Sequence, residues 1–209
     1  MADPRYSTGR WGRSLLVFLS RRFGSEAEVR YMEREAHGVT IELVRGDISA
    51  QEDVAAVVNA ANAQLQTGGG VAGAIHRKAG PGLAEETRPL APIEPGEAVI
   101  TGAHSLPNDY VIHTLGPVYG RDTPADELLA RCYRNSLARA EESGVGSVAF
   151  PAISTGAFGY PLEDATAVAL HTVLDAARSL ENVRLIRFVL FSEKELEAHE
   201  RKLAELLGN

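Results

Sequence analysis

The sequence predicts an α/β layer fold whose sheet is largely parallel and covered on both faces. Three observations carry that reading. From residue 40 onward, β-branched runs alternate with helical stretches. Two of the connections from strand to helix are built from glycine and other small residues. One pair of strands is joined by a polar loop with no room for a helix, so that pair is expected to be antiparallel.

In chain order, "VTIELV" (39–44) and "VAAVVN" (54–59) read as strands by their β-branched content. Residues 70–79 read as a helix opening on glycine. "AVITGA" and "YVIHTL" (110–115) are the loop-linked pair. A helix follows, with Thr123 as its expected N-cap and Pro124 at its first position. Leu129, Cys132, Tyr133, Leu137 and Ala140 give it the 3–4 spacing of a buried stripe, and Gly144 is a natural stop. "SVAFPAI" (147–153) reads as a strand, residues 162–180 as a long helix, and "RLIRFVLF" (184–191) as the last strand. Ser192 and Glu195 then form a capping box ahead of a final helix over 193–207.

The chain has 209 residues, 44% of them hydrophobic and 23% charged, which is ordinary for a soluble protein with one well-cored domain. No run approaches the roughly 18 apolar residues of a membrane span, so no membrane association is expected. Cys132 is the only cysteine, which excludes an internal disulfide and a cysteine-rich zinc site and fits a cytoplasmic location. The net charge of −7 argues against a protein that coats nucleic acid. It leaves room for a small anion, because backbone N–H groups bind anions without any lysine. Residues 1–24 differ from the rest, with five arginines against the single Asp3 around the apolar run "SLLVFLS". Such a start fits a targeting peptide, but no small-residue cleavage pattern follows. The plainer reading of residues 1–36 is an extension, either a helix packed on the domain or a frayed segment.

In parallel sheets ligands sit outside the carboxyl ends of the strands. "RGDIS" (45–49) follows the first strand and carries Asp47. "NAAN…GGG" (59–70) follows the second, "STGAFGYP" (154–161) follows "AFPAI", and Phe191 with Ser192 follows the last strand. Two small-residue loops, each feeding a helix N-terminus, supply two sets of N–H groups beside positive helix ends. Together they point to a ligand with phosphates, and a diphosphate matches in size. Asp47 can accept from a base or ribose, and Phe191 can stack on a base. The loops are neither a P-loop, since G-x-x-x-x-G-K-[ST] is absent, nor the dinucleotide fingerprint, since roughly nine residues separate strand from glycines.

"GDI" (46–48), "VVNAAN" (57–62), "GGGVAGAIH" (68–76), "YVIHTLGP" (110–117), "FPAISTGAFGYP" (150–161) and "FVLFS" (188–192) occur in the order seen in macrodomains. The chain resembles that family over about residues 40–207, which makes residues 37–209 the expected macrodomain. The resemblance implies a three-layer α/β/α sandwich with a mixed, largely parallel central sheet, and ADP-ribose bound across the strand ends without metal or cofactor. It implies that Asp47 holds the adenine amino group with Ile48 beside it, and that Asn62 holds the distal ribose. Gly68, Gly69, Gly70 and Val71 would line one side of the diphosphate and distal ribose. Ser154, Thr155, Gly156, Ala157 and Phe158 would close the other side, and Phe191 would border the adenine.

Macrodomains that remove ADP-ribose from acidic side chains often carry an aspartate within G-G-G-V-D-G, and here that position is Ala72. Viral-type relatives hydrolyse mono-ADP-ribose without it, but usually with a histidine where this chain has Thr67. Activity is therefore expected to rest on positioning by Asn62, Gly69, Gly70 and Phe158, with a water held by the ligand's own phosphate. The expected partners are ADP-ribose and mono-ADP-ribosylated proteins or nucleic-acid ends, bound by a monomer. The alternatives are a non-catalytic reader and an enzyme acting on O-acetyl-ADP-ribose or ADP-ribose phosphate. His113, mid-strand, and Cys132, on an apolar stripe, read as core residues.

Overall fold

Along each strand, alternate side chains point to opposite faces, and here both faces are apolar. The computed structural model describes residues 31–208. Strands β1 (Tyr31–Ala36), β2 (Val39–Arg45), β3 (Ala56–Ala60), β4 (Ala98–Gly102), β5 (Tyr110–Thr114), β6 (Ser147–Phe150) and β7 (Leu185–Leu190) form one sheet in the order β1-β2-β7-β6-β3-β5-β4. The five inner strands are parallel, while β1 and β4 run antiparallel at the two edges.

Among the described residues five α-helices cover it: α1 (Gly70–Ala79), α2 (Pro81–Thr87), α3 (Ala125–Glu142), α4 (Leu162–Ala176) and α5 (Glu193–Leu207). Val58, Ile112, Phe150 and Phe188 face α3, α4 and α5 and pack with Leu129, Leu170 and Leu196. Val57, Val111, Ala149 and Val189 face the other way, onto Ile75 and Ala79 of α1 and Leu83 of α2. The result is the three-layer sandwich with a mixed sheet. Each large apolar side chain buried in these layers contributes roughly 1.5–3 kcal/mol. The two layers hold the strand ends rigidly enough to carry a site on loops.

Several boundaries differ from the sequence reading. Residues 31–36, read as part of the extension, form strand β1, so the domain begins before residue 37; residues 1–30 of the expected extension lie outside the described residues. β1 is hidden because its inward position opposite Ile41 is Arg34 rather than an apolar residue. Its link to β2 is a tight hairpin in which His37 and Gly38 both take positive φ, 54° and 78°. In register, Tyr31 lies opposite Val44, so β1 starts where β2 ends. Pro124, in extended conformation, is the N-cap of α3, which moves the helix start one residue past the expected Thr123 cap. β6 stops at Phe150 because Pro151 cannot donate to the ladder.

A polar staple closes the layer of α3. The Glu141 carboxylate accepts from the amides of Glu181, Asn182 and Val183 just before β7. Burial raises the pKa of this group, but the hydrogen bonds from Val183, Asn182 and Glu181 outweigh it and leave the pKa lowered. A carboxylate depressed in the folded state contributes stability above its unfolded pKa of about 4.3 and loses it as pH falls through the folded value. Glu141→Ala is therefore expected to destabilise by about 1–3 kcal/mol at pH 7. The gap to the parent in denaturant melts should narrow as pH drops below about 4.

Candidate functional site

The carboxyl ends of β2, β6 and β7 open into a cleft of about 480 Å³, walled on one side by α1. That volume is in the range of small-molecule sites. Gly46, Asp47 and Ile48 contribute from the end of β2, Pro151, Ala152, Thr155 and Gly156 from beyond β6, and Phe191 from beyond β7. Gly70, Val71, Ala74 and Arg77 contribute from α1.

Asp47 caps a single 3-10 turn, Ile48–Ala50. Its Oδ1 accepts from the amide and the hydroxyl of Ser49, each at 2.8 Å, which fixes a carboxylate that is exposed and lines the cleft. Ile48 is buried beneath it in the core layer of α1. Phe191 stands at the rim, 88% exposed, an aromatic face left open by the described residues. Its amide donates to Glu195 Oε2, part of the capping network of α5, so the backbone beneath the ring is held.

The opposite wall is the glycine loop. Asn62 braces its start, Nδ2 donating to Gln66 O at 2.7 Å and Oδ1 accepting from Gln66 N at 3.1 Å. Gly70 turns the chain into α1 with φ +53°, which side-chain-bearing residues rarely adopt. Gly69 is the N-cap of α1, and no side chain among the described residues caps that helix. The amides of Gly70, Val71 and Ala72 consequently make no hydrogen bond among the described residues. The same holds for the amides of Thr155, Gly156, Ala157 and Phe158 in the facing loop. Unpaired N–H groups at a helix N-terminus favour an anion. Arg77 is the one cation among the lining residues, set against Asp47 and Glu195.

Gly73 locks the loop to the helix. A Cβ there would collide with the carbonyl oxygen of Gly68 and press on the Arg77 guanidinium. Gly73→Ala is expected to displace the loop and lower affinity for ADP by about tenfold, since a shift of this size costs one or two of the amide contacts at about 1 kcal/mol each. Calorimetric titration against AMP separates the effect, because AMP should lose less than ADP.

The site residues expected from sequence divide into two groups. Asp47, Ile48, Gly70, Val71, Thr155, Gly156 and Phe191 line the cleft together. Asn62, Gly68, Gly69, Ser154, Ala157 and Phe158 flank it without lining it. Asn62 and Ala72 sit beside Gly68: a Cβ on Gly68 would lie 3.4 Å from Asn62 Nδ2 and 3.8 Å from the Ala72 methyl. Ala72 itself is 5% exposed. Ser154 takes φ +67° with a buried hydroxyl that has no hydrogen-bond partner among the described residues. Phe158 packs near Ala61, Leu65, Ile93 and Leu115, and its carbonyl accepts from Tyr119 N at 2.9 Å.

Sequence reasoning missed Arg77, although Gly70, Ala74 and Arg77 share the 3–4 spacing of one helix face. The histidines do not enter the cleft. His113 is buried between Asn59 Nδ2 at 3.1 Å and Thr101 Oγ1 at 2.9 Å. Burial, with His76 nearby, pushes its pKa down to about 3, so it stays neutral as a structural residue.

The Macro domain family model matches residues 58–169 of the chain. A KR domain model matches residues 9–81, less than half of the chain, and overlaps the former. The chain is 46% identical over 167 residues to Macro domain-containing protein CT2219 of Chlorobaculum tepidum, covering 79% of this chain and 96% of that protein. It is 45% identical over 171 residues to the ADP-ribose glycohydrolase MACROD2 of Homo sapiens, covering 80% of this chain and 40% of that protein. Among solved structures it resembles the Oceanobacillus iheyensis macrodomain with ADP, at a TM-score of 0.81 and 39% identity over 87% of this chain and 98% of that one.

Proposed function

The chain belongs to the macrodomain family, and from that premise we propose that it binds ADP-ribose and hydrolyses mono-ADP-ribose esters of acidic side chains. One observation carries the reading: a cleft with a fixed carboxylate and an exposed aromatic ring at one end and two facing rows of unpaired amides at the other. A purine with an exocyclic amine fits the first end, and a diphosphate fits the second. The glycohydrolase named among the relatives supports the reaction.

In the proposed chemistry the ligand's phosphate holds a water against the anomeric carbon of the distal ribose. The water oxygen bonds to that carbon, the ester C–O bond breaks, and the protein carboxylate leaves with the electron pair. The water's proton passes to the phosphate oxygen. Asn62, the Gly69–Gly70 backbone and Phe158 act by holding the distal ribose in line, and well-oriented groups of this kind supply several kcal/mol of barrier reduction. The amides carry the diphosphate charge in a site that needs no reorganisation.

A second reading, a non-catalytic ADP-ribose reader, is favoured by Ala72, which offers no base beside Asn62. The two are separated by incubating a protein mono-ADP-ribosylated on glutamate with the chain at stoichiometric and at catalytic concentrations. Release at catalytic concentration supports the hydrolase. Tight binding without release makes the chain a reader.

A further inference from the structure

The sheet beneath Asp47 is polar where its neighbours are apolar. Arg187, in the middle of β7, is 3% exposed and lies opposite Glu42 of β2. Its Nε donates to Glu42 Oε2 at 2.6 Å, and its two terminal nitrogens fork onto Asp53 at 2.6 and 2.8 Å. Nη1 also donates to Gln51 Oε1 at 3.1 Å. The other end of that amide, Gln51 Nε2, donates to the main-chain carbonyl of Asp47 at 2.8 Å. The main-chain carbonyl of Gln51 is in turn held by Asn108 Nδ2 at 2.7 Å.

This arrangement has a direction. A guanidinium only donates, so it fixes which end of the Gln51 amide faces it and aims the NH₂ end at Asp47. A buried charge cluster of this kind is a poor source of net stability, because desolvation offsets the attraction. A role in orienting a neighbour accounts for it better. Asp47 Oδ1 is already taken by Ser49, so Oδ2 alone is left to meet a ligand, and its direction follows the backbone of Asp47. The carbonyl of that residue is held by two donors, Ala50 N at 3.1 Å and Gln51 Nε2 at 2.8 Å.

We infer that Gln51, oriented by Arg187, is a positioning residue that sets the direction of the Asp47 carboxylate and thereby the preference for a 6-amino purine over a 6-oxo purine. The inference rests on the proposed role of Asp47 at the base.

The test is calorimetric titration of the full chain and of Gln51→Met and Gln51→Glu with ADP, inosine 5′-diphosphate and inorganic pyrophosphate. Methionine keeps the length without the amide, and glutamate keeps a partner for Arg187 without the donor to Asp47. The parent should prefer ADP to inosine diphosphate by roughly 10- to 100-fold, the effect of leaving a carboxylate facing an oxygen. Both variants should lose about tenfold in ADP affinity, as expected for one misdirected hydrogen bond, with inosine diphosphate, pyrophosphate and melting temperature unchanged. An unaltered ADP to inosine diphosphate ratio in both variants overturns the inference. An equal loss for all three probes also overturns it, since that is general loosening of the cleft. A parent indifferent between the two nucleotides overturns the assignment of Asp47 itself, and the inference with it.

Discussion

Replacing Asp47 by alanine should lower ADP-ribose affinity by about 10- to 100-fold, the range for losing a hydrogen bond to a charged group. Calorimetric titration measures it, with AMP and ADP as shorter probes. AMP, which has the base but little of the diphosphate, should lose the largest share of its affinity. The substitution also frees the amide and hydroxyl of Ser49, so part of the loss comes from loosening the 3-10 turn. Asp47→Asn separates the two contributions. Asparagine still caps the turn, but its second atom becomes a donor, so the variant should gain for inosine diphosphate what it loses for ADP. Equal affinity of Asp47→Ala and the parent for ADP-ribose would remove the base from this end of the cleft.

Asn62→Ala should reduce turnover of a glutamate-linked substrate by about 100-fold or more, because small misplacements of a reacting group cost rates of that order. Its effect on binding should be smaller, since the diphosphate keeps its amides. The brace from Asn62 to Gln66 is lost at the same time. Single-turnover rates at saturating enzyme separate the two, because a loop made merely looser weakens binding and leaves the rate at saturation close to that of the parent. Full turnover in the variant would exclude Asn62 from the reaction.

Much of this was legible where one local device decides the outcome. The residues 70–79 and 193–207 read as helices from sequence match α1 and α5, because a glycine start and a Ser192–Glu195 capping box mark them unambiguously. The antiparallel pair β4 and β5 followed from the length of its loop. β1 was not legible because tertiary pairing, not alternation, makes it a strand: Arg34 occupies the inward position. α2 was hidden behind "GPG", which reads as a turn. Glu86 ties that helix to β4 by accepting from Gly102 N and His104 Nε2. At the site, Asp47, Phe191 and the small-residue loops showed because side chains at strand ends have few structural duties. Arg77 did not, because a cation on an exposed helix face looks like any solvated charge. Arg187 did not either, since only the register of β2 against β7 sets it opposite Glu42, from where it reaches Gln51.

The hairpin of β1 and β2 has a practical meaning for anything joined ahead of the domain. Because Tyr31 pairs with Val44, the start of β1 lies at the cleft end of the sheet, opposite a position three residues short of Asp47 in the neighbouring strand. A label carried at the start of β1 stands at the Asp47 end of the cleft. One attached after α5 follows Gly208, the residue in left-handed conformation that closes that helix. A fluorophore meant to report occupancy belongs at the start of β1, and a tether meant to leave the cleft undisturbed belongs after α5.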